Sequence, residues 1–259
     1  TRCRRHGRRA HARTGRTDLI ELHRGRPTRG GRRRGSERHG GTHARGGGWA
    51  KEVPEPAWRL FKERLTSAKE VLETAPPAAK KDPHYHALNL ILARGLNYAL
   101  EISGILFDDA QAVDPLYPDI YEHMAIRLLP RWGGYTDRDW VQWLAKALKK
   151  PGIPEEDADA LYATVSYAAI GYAYSRPDEP NPFSAAGVDW PRLKRGTQVL
   201  LRRHPESSSI PARYFRAAFL KRDRASADEA LALMKNRFDP WEWGGKSGPE
   251  FFALLQALR

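Results

Sequence analysis

Arg131, Trp132, Gly133 and Gly134 stand together in LLPRWGGYTDRDW, Leu128–Trp140, the densest run of unusual side chains in the chain. A guanidinium, an indole and two unhindered backbone positions can build a tight corner between helices. They can also grip a partner, because Arg and Trp are the side chains most enriched at binding hot spots. In the corner reading, Pro130 ends a helix running to Leu129, since the residue before a proline avoids the helical region. Gly133 and Gly134 supply positive φ, and Thr136 caps the next helix. Trp132 fills the gap between the two helices, and Arg131 bonds the carbonyls left free at the helix end. The corner is the leading reading, with a partner contact through Arg131 and Trp132 as the second. No nucleophile stands beside a base here, so no catalytic residue is assigned.

Other candidates are weaker. His84, His86, Glu122 and His123 are metal-type side chains, but positions i and i+2 of a helix point about 200° apart, so one ion does not take both His84 and His86. No His-x3-His pair or cysteine helps, and neither a metal nor a cofactor is expected. In ATVSYAAIGYAYS, Tyr172 continues an apolar stripe, while Tyr167 and Tyr174 fall off it. Those two either line a concave binding surface, where tyrosine gives large contact area at low entropy cost, or pack against the next helix pair. The basic runs LKRGTQVLLRRHP and FLKRDR form either a basic patch or solvated helix faces, and the nearby Asp223 and Asp228 favour the faces.

The elements that carry these residues are helices. Apolar residues recur with a helical period at Trp58, Phe61, Leu65, Ala68 and Leu72, and at Tyr117, Ile120, Tyr121, Met124 and Leu128. The same holds for Ala158, Leu161, Tyr162, Val165, Ala169 and Tyr172, for Ala227, Ala230, Leu231, Met234 and Phe238, and for Phe251, Leu254, Leu255 and Leu258. Thr136 with Asp139, and Ser226 with Glu229, have capping-box spacing. Asp189 can cap a helix with Pro191 in its first turn. No segment alternates with a two-residue period, so the fold class is all-α.

Charge divides the chain. Residues 1–50 hold fifteen arginines, no lysine and three acidic residues, whereas residues 51–259 hold 29 basic and 28 acidic ones. The net charge of +13 therefore belongs to an Arg/Gly-rich tail, expected to be disordered because it has almost nothing to bury. That tail reads as spurious translation of GC-rich sequence, as a plain linker, or as an arm that binds nucleic acid through its phosphates. Cys3, the only cysteine, lies in it, so residues 51–259 have no thiol chemistry. No run approaches the ~20 apolar residues that cross a bilayer, and no membrane association is expected. The cytoplasm is the default location, with a signal preceding Thr1 as the open alternative.

Prolines punctuate the body at Pro83, Pro115, Pro151, Pro205 and Pro240, at intervals of 32, 36, 54 and 35 residues. Arg94–Tyr98 falls where a turn between paired helices belongs. The long interval contains RPDEPNPFSAAGVD, Arg176–Asp189, stiffened by Pro177, Pro180 and Pro182 and offering Phe183 as an apolar anchor. Such a loop is either a contact site or harmless length variation. A second Trp-Gly-Gly, Trp243–Gly245, reads as a turn into a terminal helix over Pro249–Leu258.

The period and the Asp-Pro punctuation resemble the tetratricopeptide superfamily over residues 83–240. AQAVDPLYPDIYEHMAIRLLPRWGG resembles the hallmark segment of an uncharacterised bacterial family of tetratricopeptide-like proteins. The W-x2-L-G-x2-Y pattern of a first helix is absent, and repeat lengths vary. The resemblance implies a right-handed stack of antiparallel helix pairs with a concave face that holds peptides or partner proteins, and it implies no reaction. The expected function of residues 51–259 is thus a non-enzymatic scaffold touching a partner through Arg131, Trp132, Tyr167, Tyr174 or Phe183. The alternatives are an enzyme whose site is dispersed over several helices, and nucleic-acid binding through the tail.

Overall fold

A computed structural model describes residues 53–176 and 178–234. The tail, the second Trp-Gly-Gly, the terminal helix, Pro177, Phe238 and Pro240 lie outside the described residues. Every regular element among them is helical, as the apolar periodicity predicts. The chain divides into two compact units at Pro76–Pro77. The described helix of the first, α1 (Glu55–Glu73), has Pro56 in its first turn, where a missing N–H costs nothing. It buries Leu65, Ala68 and Leu72, three of the five residues of its predicted stripe.

In the second unit the helices come in four pairs. The first is α2 (Pro83–Gly95) with α3 (Leu100–Val113), and the second is α4 (Pro118–Arg127) with α5 (Asp139–Ala147). The third is α6 (Glu155–Tyr174) with α8 (Trp190–Arg203), with the short α7 (Pro182–Ala186) between them. The fourth is α9 (Ser209–Lys221) with α10 (Arg224–Met234). The two members of each pair pack together, and the first helices pack in succession, α2 on α4, α4 on α6 and α6 on α9. Pro83 opens α2 rather than trailing a helix end, and the Asp82 carboxylate before it accepts the His84 amide at 2.9 Å. The predicted turn after Arg94 is present, with Asn97 at φ 55°.

α6 is the hub. Twelve of its twenty residues are buried, which is why its apolar residues run almost all the way round instead of forming one stripe. Against α8 the backbones nearly touch: a Cβ on Gly196 would lie 1.9 Å from the Asp159 carbonyl oxygen. The Asp159 carboxylate holds the crossing through Arg192 Nε at 2.8 Å and Arg195 Nε at 2.9 Å. Arg202 reaches Glu156 at 2.8 Å and Arg203 reaches Asp157 at 2.6 Å. The basic run on α8 is therefore an ion-paired face.

Candidate functional site

The corner after α4 is real but is built differently from the sequence expectation. α4 ends at Arg127, two residues before the predicted stop, and Pro130–Trp132 form a single 3-10 turn. Leu129 is extended, at ψ 149°, as a residue before proline should be. Gly133 takes the left-handed conformation at φ 102°. Gly134 is needed for room instead: a Cβ there would sit 1.6 Å from the Leu128 carbonyl oxygen.

The carbonyls at the end of α4 accept the Leu128 and Leu129 amides, and a second arginine, Arg127, bonds carbonyls farther along the corner. It is buried, with Nη1 donating to the Trp132 carbonyl and Nη2 to the Tyr98 carbonyl at 2.6 Å, so it ties the corner to the turn of the preceding pair. Arg131 contributes its backbone amide, which donates to the Tyr172 hydroxyl at 3.2 Å. Trp132 is half-buried and flanked by two guanidinium groups, Arg94 at 5.2 Å and Arg131 at 5.7 Å from the ring centroid. The fully buried tryptophan of this stretch is Trp140, whose ring meets Tyr162 at 6.0 Å. Burial lowers the Arg94 pKa to about 10, with the Glu122 carboxylate opposing the shift.

Beyond the glycines the chain is shaped for its next contact. The Asp139 carboxylate accepts the Tyr135 amide at 2.7 Å and the Thr136 amide at 3.1 Å, while the Thr136 hydroxyl takes the Arg138 amide at 3.2 Å. This is the predicted Thr-x-x-Asp capping exchange, set one turn ahead of the regular helix. The Thr136 hydroxyl foremost, then the two amides, holds the Asp139 pKa below the ordinary carboxylate range. Asp137 and Arg138, between the two caps, are thereby aimed at the insertion. Arg176 pairs with Asp137, and Arg138 Nη2 donates to the Ser184 carbonyl at 2.8 Å.

The insertion folds into a wall. Asn181 caps α7 by accepting the Ser184 amide at 3.1 Å, and Gly187 ends it at φ 68°. Phe183 is buried, edge-on to Trp190 at 5.6 Å, and Trp190 stacks on Tyr214 at 5.9 Å. The Trp190 indole N–H donates to Asp223 at 2.9 Å, and Asp223 also accepts the Ser226 amide at 3.1 Å and the Ser226 hydroxyl at 2.9 Å. Asp223, rather than the predicted Ser226–Glu229 pair, therefore caps α10; its pKa lies below the ordinary range, chiefly through the Ser226 amide. Glu229 accepts the Tyr214 hydroxyl at 3.0 Å, and burial foremost pushes Tyr214 up to about 12.

Between this wall and the α9–α10 junction lies an open cleft of about 1030 Å³. Half-buried Val188, Phe219 and Leu220 give it apolar surface, and exposed Arg138, Lys221, Arg222 and Arg224 give it a cationic rim. No carboxylate lines it among the described residues. The run FLKRDR, expected to be a solvated face, thus supplies most of the rim. Such an arrangement can hold an anionic group beside an apolar one.

Two of the five predicted contact residues, Tyr167 and Phe183, lie in the interior. Tyr167 is 2% exposed and its hydroxyl lies 2.5 Å from that of Thr197, so of its two expected roles it takes the packing one, at the α6–α8 interface, and is no partner contact. Phe183, 7% exposed, is no free anchor; it props the wall from within. Tyr172 is half-buried rather than core, while Tyr174, Arg131 and Trp132 are half-buried. His84 lies 3.1 Å from the Tyr117 hydroxyl and His86 bonds the Lys80 carbonyl at 2.8 Å, which sends the two rings to different partners. Among the described residues no group of His, Cys, Asp and Glu is placed to hold a metal, and no helix is long and apolar enough to cross a membrane. Comparison with protein-family models, curated proteins and solved structures gave no match.

Proposed function

We propose that the body is a tetratricopeptide-like stack that holds a protein or peptide partner and performs no reaction of its own. The succession of helix pairs, each leading helix resting on the one before, supports the stack. The observation that carries the function is the cleft. The one connection that breaks the proline rhythm folds into its wall, braced by Phe183 and Arg176, and leaves a mixed apolar and cationic surface open. Stable binding surfaces combine apolar anchors with a polar rim in this way.

Deleting Asp178–Ala186 would remove buried Phe183 and collapse the wall, so the test uses exposed side chains. The tagged full chain, recovered from the cells that make it under mild crosslinking, is expected to carry one protein at near-equal stoichiometry. The double variant Lys221→Glu/Arg224→Glu should lose that protein without a change in melting temperature. A chain that brings down no stoichiometric protein would overturn the reading.

A further inference from the structure

We infer that the cleft takes an acidic peptide segment with an apolar side chain, and that Arg222 is held out of its preferred backbone conformation to meet it; this rests on the scaffold reading above. Five described residues lie in the left-handed region: Gly133, Gly152, Gly187, Asn97 and Arg222. Glycine and asparagine tolerate it, whereas a long side chain pays a steric penalty there. At the end of α9, with the Arg222 amide donating to the Phe219 carbonyl at 3.0 Å and the Asp223 amide to the Ala218 carbonyl at 2.9 Å, glycine is the ordinary occupant. An arginine kept in such a place, on the rim of an open cleft, points to use rather than to folding.

Charge complementarity names the occupant. Lys221 and Arg222 have no carboxylate partner among the described residues, and Arg224 has only the exposed Asp228 at 3.7 Å, a pairing that water largely screens. The acids nearest in sequence are engaged elsewhere. Asp223 serves Trp190 and Ser226, Glu179 serves Arg176, and Asp189 caps α8 by accepting the Arg192 amide. General basicity does not explain this, because each of the four arginines of α8 has a carboxylate partner: Arg192 and Arg195 share Asp159, Arg202 pairs with Glu156 and Arg203 with Asp157. Val188 and Leu220 beside Phe219 suit an apolar side chain better than a nucleobase, which seeks flat aromatic platforms.

The test is fluorescence anisotropy on the full chain with two labelled probes, a peptide of Glu and Asp around one Phe, and the same peptide with Ala for Phe. The arginine-rich tail attracts both probes alike, so their difference reports on the cleft. The Phe probe should bind about tenfold tighter than the Ala probe, and Lys221→Glu/Arg224→Glu should erase that difference. Arg222→Gly should weaken the Phe probe about five- to tenfold while raising the melting temperature by about 2–4 °C. A merely structural residue would not lose binding while gaining stability. Equal binding of the two probes, or an Arg222→Gly chain with unchanged probe affinities, overturns the inference. So does a single-stranded RNA that binds tighter than the Phe probe and is lost in the double variant. None of these outcomes touches the stoichiometric partner on which the scaffold reading stands, so the two can fail separately.

Discussion

At the corner after α4, Arg127 turns both terminal nitrogens to backbone carbonyls, and Arg94 and Arg131 flank one indole. At the cleft rim, exposed Lys221 and Arg222 have no carboxylate to meet them among the described residues, and the Lys221 ammonium lies over the Phe183 ring, 5.6 Å from its centroid. All of these Arg and Lys side chains are cations; their surroundings differ. A guanidinium enclosed by carbonyls is a brace, and removing it leaves part-buried acceptors without their donor. A guanidinium on an open rim contributes little to folding and stays available. The two regions are linked, since Asp137 and Arg138 leave the corner and fasten the wall of the cleft through Arg176 and Ser184.

The sharpest way to break the contrast is at the corner's backbone. Gly134→Ala drives a methyl group into the Leu128 carbonyl, and urea unfolding of the full chain should show a loss above about 4 kcal/mol. A loss below about 1 kcal/mol would mean the corner is slack and the comparison is misdrawn. The next effect sets one region against the other. Arg127→Met leaves two carbonyls unpaired and should cost about 2–4 kcal/mol, whereas Lys221→Met should stay within about 0.5 kcal/mol. Equal costs would dissolve the distinction between brace and rim.

Much of this architecture is legible in the sequence, and the errors have physical causes. The paired helices follow from period and punctuation, and the Asp189 cap and the left-handed Gly133 follow from local chemistry that a few neighbouring residues decide. The brace by Arg127 is not legible, because its Tyr98 partner lies 29 positions away and only tertiary packing brings the two together. The sequence leaves Tyr167 open between a binding surface and helix packing and offers Phe183 as a free anchor, because one stripe and a loop are all that periodicity displays; a helix covered on several sides hides the residues off its stripe as well. FLKRDR was visible as a basic run, but its engagement depends on Asp223 turning inward to Trp190, 33 positions away.

The smallest expected effect is one that both regions share. Asp139 and Asp223 are each held below the ordinary carboxylate range. A carboxylate depressed in this way stabilises the folded chain above its unfolded pKa of about 4, and that contribution is lost as pH falls through the lower folded value. Melting temperature should therefore drop most steeply below about pH 4, and Asp139→Asn or Asp223→Asn should each flatten that acid limb. An acid limb as steep in both variants as in the parent chain would remove these two caps from the account.

The near contact of α6 and α8 at Gly196 also governs time. With the Asp159 carbonyl pressed against Gly196, water and its catalytic hydroxide reach the amides of that crossing only after the helices part. Those amides should be the slowest to exchange for deuterium, on the schedule of global unfolding, while amides at the α9–α10 junction exchange by local opening. The stack would then have one crossing that keeps its shape for as long as the protein is folded, while the cleft rim is free to adjust many times within that span.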